Sequence, residues 1–363
     1  MPIKEESFRI GAGRYLQGRG YLARLGDEVC RLGDSALIVG GVTALSLTRA
    51  TAEAGTLQKC KKYEFVTHTG TCNDEDAKAL AERAAEGGYN VIVGIGGGVI
   101  CDFAKLIAHY AALPVINVPT SSATCAAYTP LSVRYGVDGR TVGSMHYERE
   151  VNCVLVDMDV VSRQPVRLFL AGVFDALAKF VEIKQRFDGE VTEYPLGLDY
   201  AYVMSKYSSD LLRTKSDRGI SDMAAGIESA DVDNLIFTAI AATGVISGIA
   251  RGSNQTALAH KLYEITRTLF PTESKGYLHG EIVGVGLLLQ NHFNGEEENN
   301  RELLALMKKY GMPHCMADVG VVGGRELLED YCERLFRSTA VEEKTEAVRA
   351  KLTESLEYLW SIQ

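Results

Sequence analysis

The stretch VIVGIGGGVICDFAK, residues 91–105, restricts the fold more than any other. An aliphatic run enters a cluster of glycines and passes without a linker into a helical pattern. It belongs to a wider rhythm. SALIVGG, KYEFVT, NVIVGIGGG, LPVINVPT and VNCVLVD are short β-rich runs, and amphipathic stretches such as DEDAKALAERAAEGG lie between them. Strands alternating with helices of this kind predict parallel βαβ units and a doubly wound sheet. From PVRLFLAGVFDALAKFVEI onward such runs vanish and patterns of period 3.6 take over. The expected fold is an α/β N-terminal domain with a doubly wound parallel sheet over residues 1–163, followed by an all-α C-terminal domain over 164–363. The last stretch, VEEKTEAVRAKLTESLEYLWSIQ, reads as a surface amphipathic helix.

A chain of 363 residues exceeds what one core usually covers, in keeping with two domains. Its formal net charge of -9, with 38 basic residues and no dense basic run, argues against nucleic acid or an anionic membrane as partner. LIFTAIAATGVISGIA, residues 235–250, is short and rich in small residues for a membrane span and reads as a buried helix. The opening MPIKEESFRIGAG has charges where a secretory leader needs an apolar core. Eight scattered cysteines without a CxxC pair suggest a reduced, cytoplasmic protein. A small-molecule substrate and a homo-oligomer are expected.

In the glycine run, Gly94, Gly96, Gly97 and Gly98 would let backbone approach a diphosphate, and the following helix would present free N–H groups to it. The sixth position is Val99, so the standard G-x-G-x-x-G is not complete; the diphosphate loop is the favoured reading, and a tight turn that binds nothing is the alternative. Asp102 and Lys105 lie one turn apart, either to hold polar ends of a ligand or as a solvated pair.

In the helical half, Asp175 sits in an apolar run and needs a cation or donors if buried. His260, in TALAHKLYEI, and His279, at the mouth of HGEIVGVG, lie on similarly apolar stretches. Singly, each histidine reads as a hydrogen-bonded core residue. Together, two imidazoles and one carboxylate make the open three-ligand set of a catalytic zinc. Positions so far apart in sequence do not establish such a set.

GGGVICDFAK fits the pattern GGGxxxDxxK, and AGVFDALAK, ALAH and LHGEIVGVG fit metal-binding segments of one family. In these motifs the chain resembles the iron-containing, group III alcohol dehydrogenases. It is similar to their glycerol dehydrogenase-like branch and, through ATCAAYTPLSVRY, to the bacterial hydroxycarboxylate (2-oxo acid) dehydrogenases. The resemblance implies a dehydroquinate synthase-like fold with the active site in the cleft of two domains. It assigns Gly96, Gly97, Gly98 and Asp102 to the pyrophosphate and nicotinamide of NAD(P), and Thr120, Thr129, Leu131 and Tyr135 to further cofactor contacts. It assigns Asp175, His260 and His279 to one divalent metal.

Four departures from the family pattern refine this. Iron-dependent members carry a histidine where this chain has Lys179, which favours a three-ligand zinc site. NAD-dependent members carry an aspartate where this chain has Gly41, so a 2′-phosphate meets no repulsion and NADP is admitted. Glycerol dehydrogenases have a polyol-binding aspartate in place of Cys125 and a phenylalanine in place of Arg251. No adjacent base or cation would make Cys125 a nucleophile. One negative charge removed and one cation gained both favour an anionic substrate. The expected function is a metal-dependent NAD(P)H oxidoreductase interconverting a small 2-oxo acid and its 2-hydroxy acid. The alternatives are a glycerol or 1,2-diol dehydrogenase and a carbocyclic lyase related to dehydroquinate synthase.

Overall fold

The computed structural model describes residues 10–136, 141–186, 196–250 and 255–362. The chain forms two compact units, one of Arg9–Phe169 with Gly219–Val245, the other mainly of Leu170–Arg218 and Ile246–Gln363.

Among the described residues the first unit carries eight strands: β1 (Tyr15–Gly18), β2 (Ser35–Gly40), β3 (Lys62–Thr67), β4 (Val91–Gly96), β5 (Val115–Pro119), β6 (Leu131–Tyr135), β7 (Thr141–His146) and β8 (Cys153–Asp157). Six form a parallel sheet in the order β1-β8-β5-β4-β2-β3, and β6 and β7 make a separate antiparallel pair. Helices α1 (Leu25–Leu32), α2 (Val42–Ala54), α3 (Asp74–Glu86) and α4 (Gly98–Ala111) provide the crossovers, and a short α5 (Met158–Val161) follows β8. The aliphatic runs of β2, β4, β5 and β8 are buried along their whole length, as a sheet covered on both faces requires. Helix α3 starts where Asn73 accepts the Asp76 N–H at 2.9 Å, with three acidic residues in its first turn.

The expected α/β fold is present with its five strands, and β1 and the β6–β7 pair are additions. Four residues, YLQG, are too few to show a period, and β1 exists because β8 offers it a parallel partner. Gly219–Val245 is a second difference, since helical periodicity had assigned it to the C-terminal half. It contains α8 (Ala230–Phe237, counted after α7, Leu196–Ala224) and covers the short edge strand. Phe237 packs edge-on against Tyr15 at 5.6 Å between ring centres, and Gln17 donates to the Asp233 carbonyl at 2.9 Å. Edge strands need such cover, and period 3.6 does not say which sheet a helix will protect.

The second unit contains α6 (Val166–Arg186, entering from the first unit), most of α7, α9 (Thr243–Ala250), α10 (Leu258–Leu269), α11 (His279–Asn294), α12 (Glu297–Lys309), α13 (Arg325–Arg337) and α14 (Glu346–Ser361). The apolar run ending at Ala250 belongs to a 21-residue helical stretch, Ala230–Ala250, that contains an 18-residue window of mean hydropathy 1.6. By length and composition that stretch could cross a membrane, so the argument from shortness fails. Its most apolar window is 56% buried within the protein, which suits a core helix.

Candidate functional site

Three helices of the second unit each bring one metal-type donor. Asp175 lies in the middle of α6, His260 in the first turn of α10, and His279 is the first residue of α11. They meet because the helices approach closely. A β-carbon on Gly280 would overlap the Ala171 carbonyl oxygen of α6, and one on Gly286 would lie 2.6 Å from the Ala259 carbonyl oxygen of α10. The small residues of HGEIVGVG therefore set the distance between the donors.

One donor atom from each residue lies within 4.8 Å of the others. His260 Nε2 is 3.4 Å and His279 Nε2 3.5 Å from Asp175 Oδ1, and that oxygen is buried without a hydrogen-bond partner among the described residues. Donors each about 2.0–2.2 Å from one ion in a tetrahedral set lie about 3.3–3.6 Å apart. The chemistry and spacing of the three side chains thus fit a divalent cation. A buried, unpaired carboxylate oxygen facing two imidazole nitrogens favours positive charge at that point.

In the metal-free site the three groups shift one another. Burial works to raise the Asp175 carboxyl, yet the Lys179 ammonium and both imidazoles hold it well below the usual carboxylate range. Burial depresses His279. It acts on His260 in the same sense, but the Glu182 carboxylate reverses this and lifts His260 to about 9.

Glu182 was not singled out by sequence reasoning. It is fully buried on α6, seven positions after Asp175, so both project from one face. Its Oε2 pairs with His260 Nδ1 at 2.5 Å, while Oε1 accepts the N–H groups of Ala257 (2.7 Å) and His260 (2.9 Å). A signal was present: Ala257, at the N-cap of α10, has no side chain able to cap, so the free N–H groups needed an acceptor from elsewhere. Lys179 lies on the same face, is buried, and makes no ion pair within 4.0 Å with any described carboxylate.

In the first unit, β2 and β4 are neighbours although β3 intervenes in sequence, which makes their carboxyl ends the switch point of the sheet. Gly41 follows β2 as N-cap of α2, Gly96–Gly98 follow through the end of β4 into α4, and Thr120 follows β5 and donates its N–H to the Gly96 carbonyl at 3.0 Å. These residues share one end of the sheet. Gly96 is closed by packing, since a β-carbon there would meet Ile100 at 2.7 Å. Gly97 and Gly98 are half-buried and face only Ser121, Thr124 and Ala126 of the next loop, and Gly97 supplies no side-chain cap.

Asp102 and Lys105 do not form a solvated pair. Both are buried, with Nζ 2.8 Å from Oδ1 at an angle poor for a hydrogen bond. Lys105 donates to the carbonyls of Ala126, Thr129 and Leu131, and Asp102 Oδ2 accepts the Val133 N–H at 3.0 Å. Burial pushes the Asp102 carboxyl up while Lys105 opposes it. The pair therefore anchors the loop that carries Thr129 and Leu131, with Tyr135 bound to the Cys72 carbonyl at 2.8 Å. Cys125, half-buried, lies in the same loop, and its carbonyl accepts the N–H groups of Tyr128 and Thr129. Arg251 lies outside the described residues.

Residues 12–158 match the model of the iron-containing alcohol dehydrogenase family. A glycerol dehydrogenase of Thermotoga maritima is 30% identical over 320 residues, 86% of this chain and 85% of that protein. Hydroxycarboxylate dehydrogenase A of Escherichia coli is 30% identical over 261 residues, 71% of this chain and 70% of that protein. The crystal structure of glycerol dehydrogenase from Schizosaccharomyces pombe shares the fold, with a TM-score of 0.83 at 22% identity over 99% of this chain and 91% of that one.

Proposed function

The chain belongs to the iron-containing alcohol dehydrogenases, oxidoreductases acting on CH–OH groups, and on that premise we propose that it interconverts a small 2-oxo acid and its 2-hydroxy acid. Asp175, His260 and His279 would hold one divalent cation, with zinc proposed, and the carboxyl ends of β2, β4 and β5 would hold NAD(P). A cation there acts as a Lewis acid on the substrate oxygen, and the nicotinamide supplies or accepts hydride.

The observation that carries the acid reading is Lys179. A buried ammonium more than 4.0 Å from every described carboxylate, attracted to Asp175 and Glu182 but bonded to neither, is costly, and a substrate carboxylate beside the cation set would relieve it. Cys125, where glycerol dehydrogenases resembling this chain carry an aspartate, adds no negative charge to oppose such a substrate. Glycerol or a 1,2-diol is the alternative, and the similarity to glycerol dehydrogenases supports it equally. The test is a panel of 2-oxo acids, glycerol and glycolaldehyde, run with NADH and NADPH or their oxidised forms. Lys179→Met is expected to raise KM for 2-oxo acids about 10–100-fold, the worth of one charge-assisted hydrogen bond, and to leave glycolaldehyde nearly unchanged. Equal losses on charged and neutral substrates would defeat the acid reading.

Cofactor choice turns on Gly41. A β-carbon there would meet only Ile100, at 3.8 Å, so a larger side chain fits. Gly41→Asp is expected to move preference from NADPH toward NADH by about 1–3 kcal/mol through repulsion of a 2′-phosphate. Measured kcat/KM ratios for both cofactors decide it, and a wild type that rejects NADPH refutes the argument.

A further inference from the structure

We propose that Glu182 is a positioning residue for the cation set: it fixes His260 with Nδ1 protonated and the Nε2 lone pair free for the metal. This rests on the reading that Asp175, His260 and His279 bind a divalent cation.

The geometry leaves His260 little choice. One helix, α6, faces both nitrogens of the ring, with Asp175 Oδ1 3.4 Å from Nε2 and Glu182 Oε2 2.5 Å from Nδ1. Glu182 cannot turn away, because its other oxygen is engaged by two backbone N–H groups at the start of α10, the helix that carries His260. The same carboxylate therefore sets the ring's tautomer, its rotation, and the position of the helix end from which it projects. A carboxylate on the second nitrogen of a ligating histidine also makes the first a better donor.

Glu182→Gln separates this role from simple packing, because glutamine has nearly the same shape but carries one acceptor and one donor group. Two backbone N–H groups demand the acceptor, so the amide NH₂ is turned toward Nδ1. His260 Nδ1 must then accept, Nε2 takes the proton, and the lone pair that would bind metal is lost.

The experiment titrates chelator-stripped wild type and Glu182→Gln with zinc against a chromophoric chelator, alongside thermal melts of both metal-free proteins. The expected result is one zinc site in wild type and an affinity about 10–100-fold weaker in the variant, beyond any change in metal-free stability. Equal affinities overturn the positioning role while leaving the cation reading intact. A wild type without a zinc site overturns the cation reading itself. A second measurement needs no variant: ring ¹⁵N shifts of zinc-loaded wild type should show His260 protonated at Nδ1 and metal-bound at Nε2. The opposite pattern overturns the proposal even if Glu182→Gln does not fold.

Discussion

His260→Ala is expected to lose the proposed divalent cation and turnover together. Asp175 Oδ1 would then face only His279, at 3.5 Å, and two donors compete poorly with water for an ion that normally takes three protein ligands. Removing Lewis-acid assistance worth several kcal/mol should lower turnover by at least about a thousandfold. The variant also leaves Glu182 Oε2 buried without its imidazole, at a cost of about 1–3 kcal/mol in stability. Elemental analysis, steady-state rates and a thermal melt on one preparation separate these effects. Undiminished turnover in a folded, metal-free His260→Ala preparation would refute the assignment of the three donors.

Cys125→Asp is expected to invert substrate preference. If Cys125 marks the place of a deleted carboxylate, restoring it sets negative charge against a 2-oxo acid and offers a hydroxyl substrate a charge-assisted hydrogen bond. At about 4 Å and an effective dielectric near 20, the repulsion is about 4 kcal/mol, or roughly a thousandfold in kcat/KM. Cys125→Ser should be close to neutral on both substrates, because it adds no charge. If Cys125→Asp leaves the ratio of 2-oxo acid to glycerol activity unchanged, the loop does not set charge preference. If Cys125→Ser abolishes turnover, the thiol takes part in the chemistry.

These two residues differ in how far sequence could reach them. The glycine loop and the five main strands were legible because period 2, period 3.6 and a run of glycines are local properties, each complete within a window of about fifteen residues. The chemical types of Asp175, His260 and His279 were legible too, since a carboxylate or imidazole within an apolar helical run stands out. Motif resemblance supplied their grouping, which spacing did not. Glu182 passed unnoticed because a glutamate in VEIKQ looks like any solvated helical carboxylate. Only the folded chain shows it fully buried, holding α10 by two N–H groups. Asp102 and Lys105 erred in the same way: their spacing suggested a solvated pair, and the loop of residues 126–133 closes over them.

By itself the sequence determined the alternation of strand and helix, the run of glycines after the aliphatic stretch of β4, the absence of a carboxylate at Gly41, and the family. Tertiary structure decided the rest. It placed β1 beside β8, assigned Gly219–Val245 to the unit with the sheet, and gathered donors from α6, α10 and α11 within 4.8 Å. The physical reason is that backbone preference depends on near neighbours, whereas burial, ion pairing and the approach of one helix to another depend on residues remote in sequence. The missing β-carbons of Gly280 and Gly286 illustrate this: in sequence they are two helix-weakening residues, and only in the fold do they let α11 close on α6 and α10.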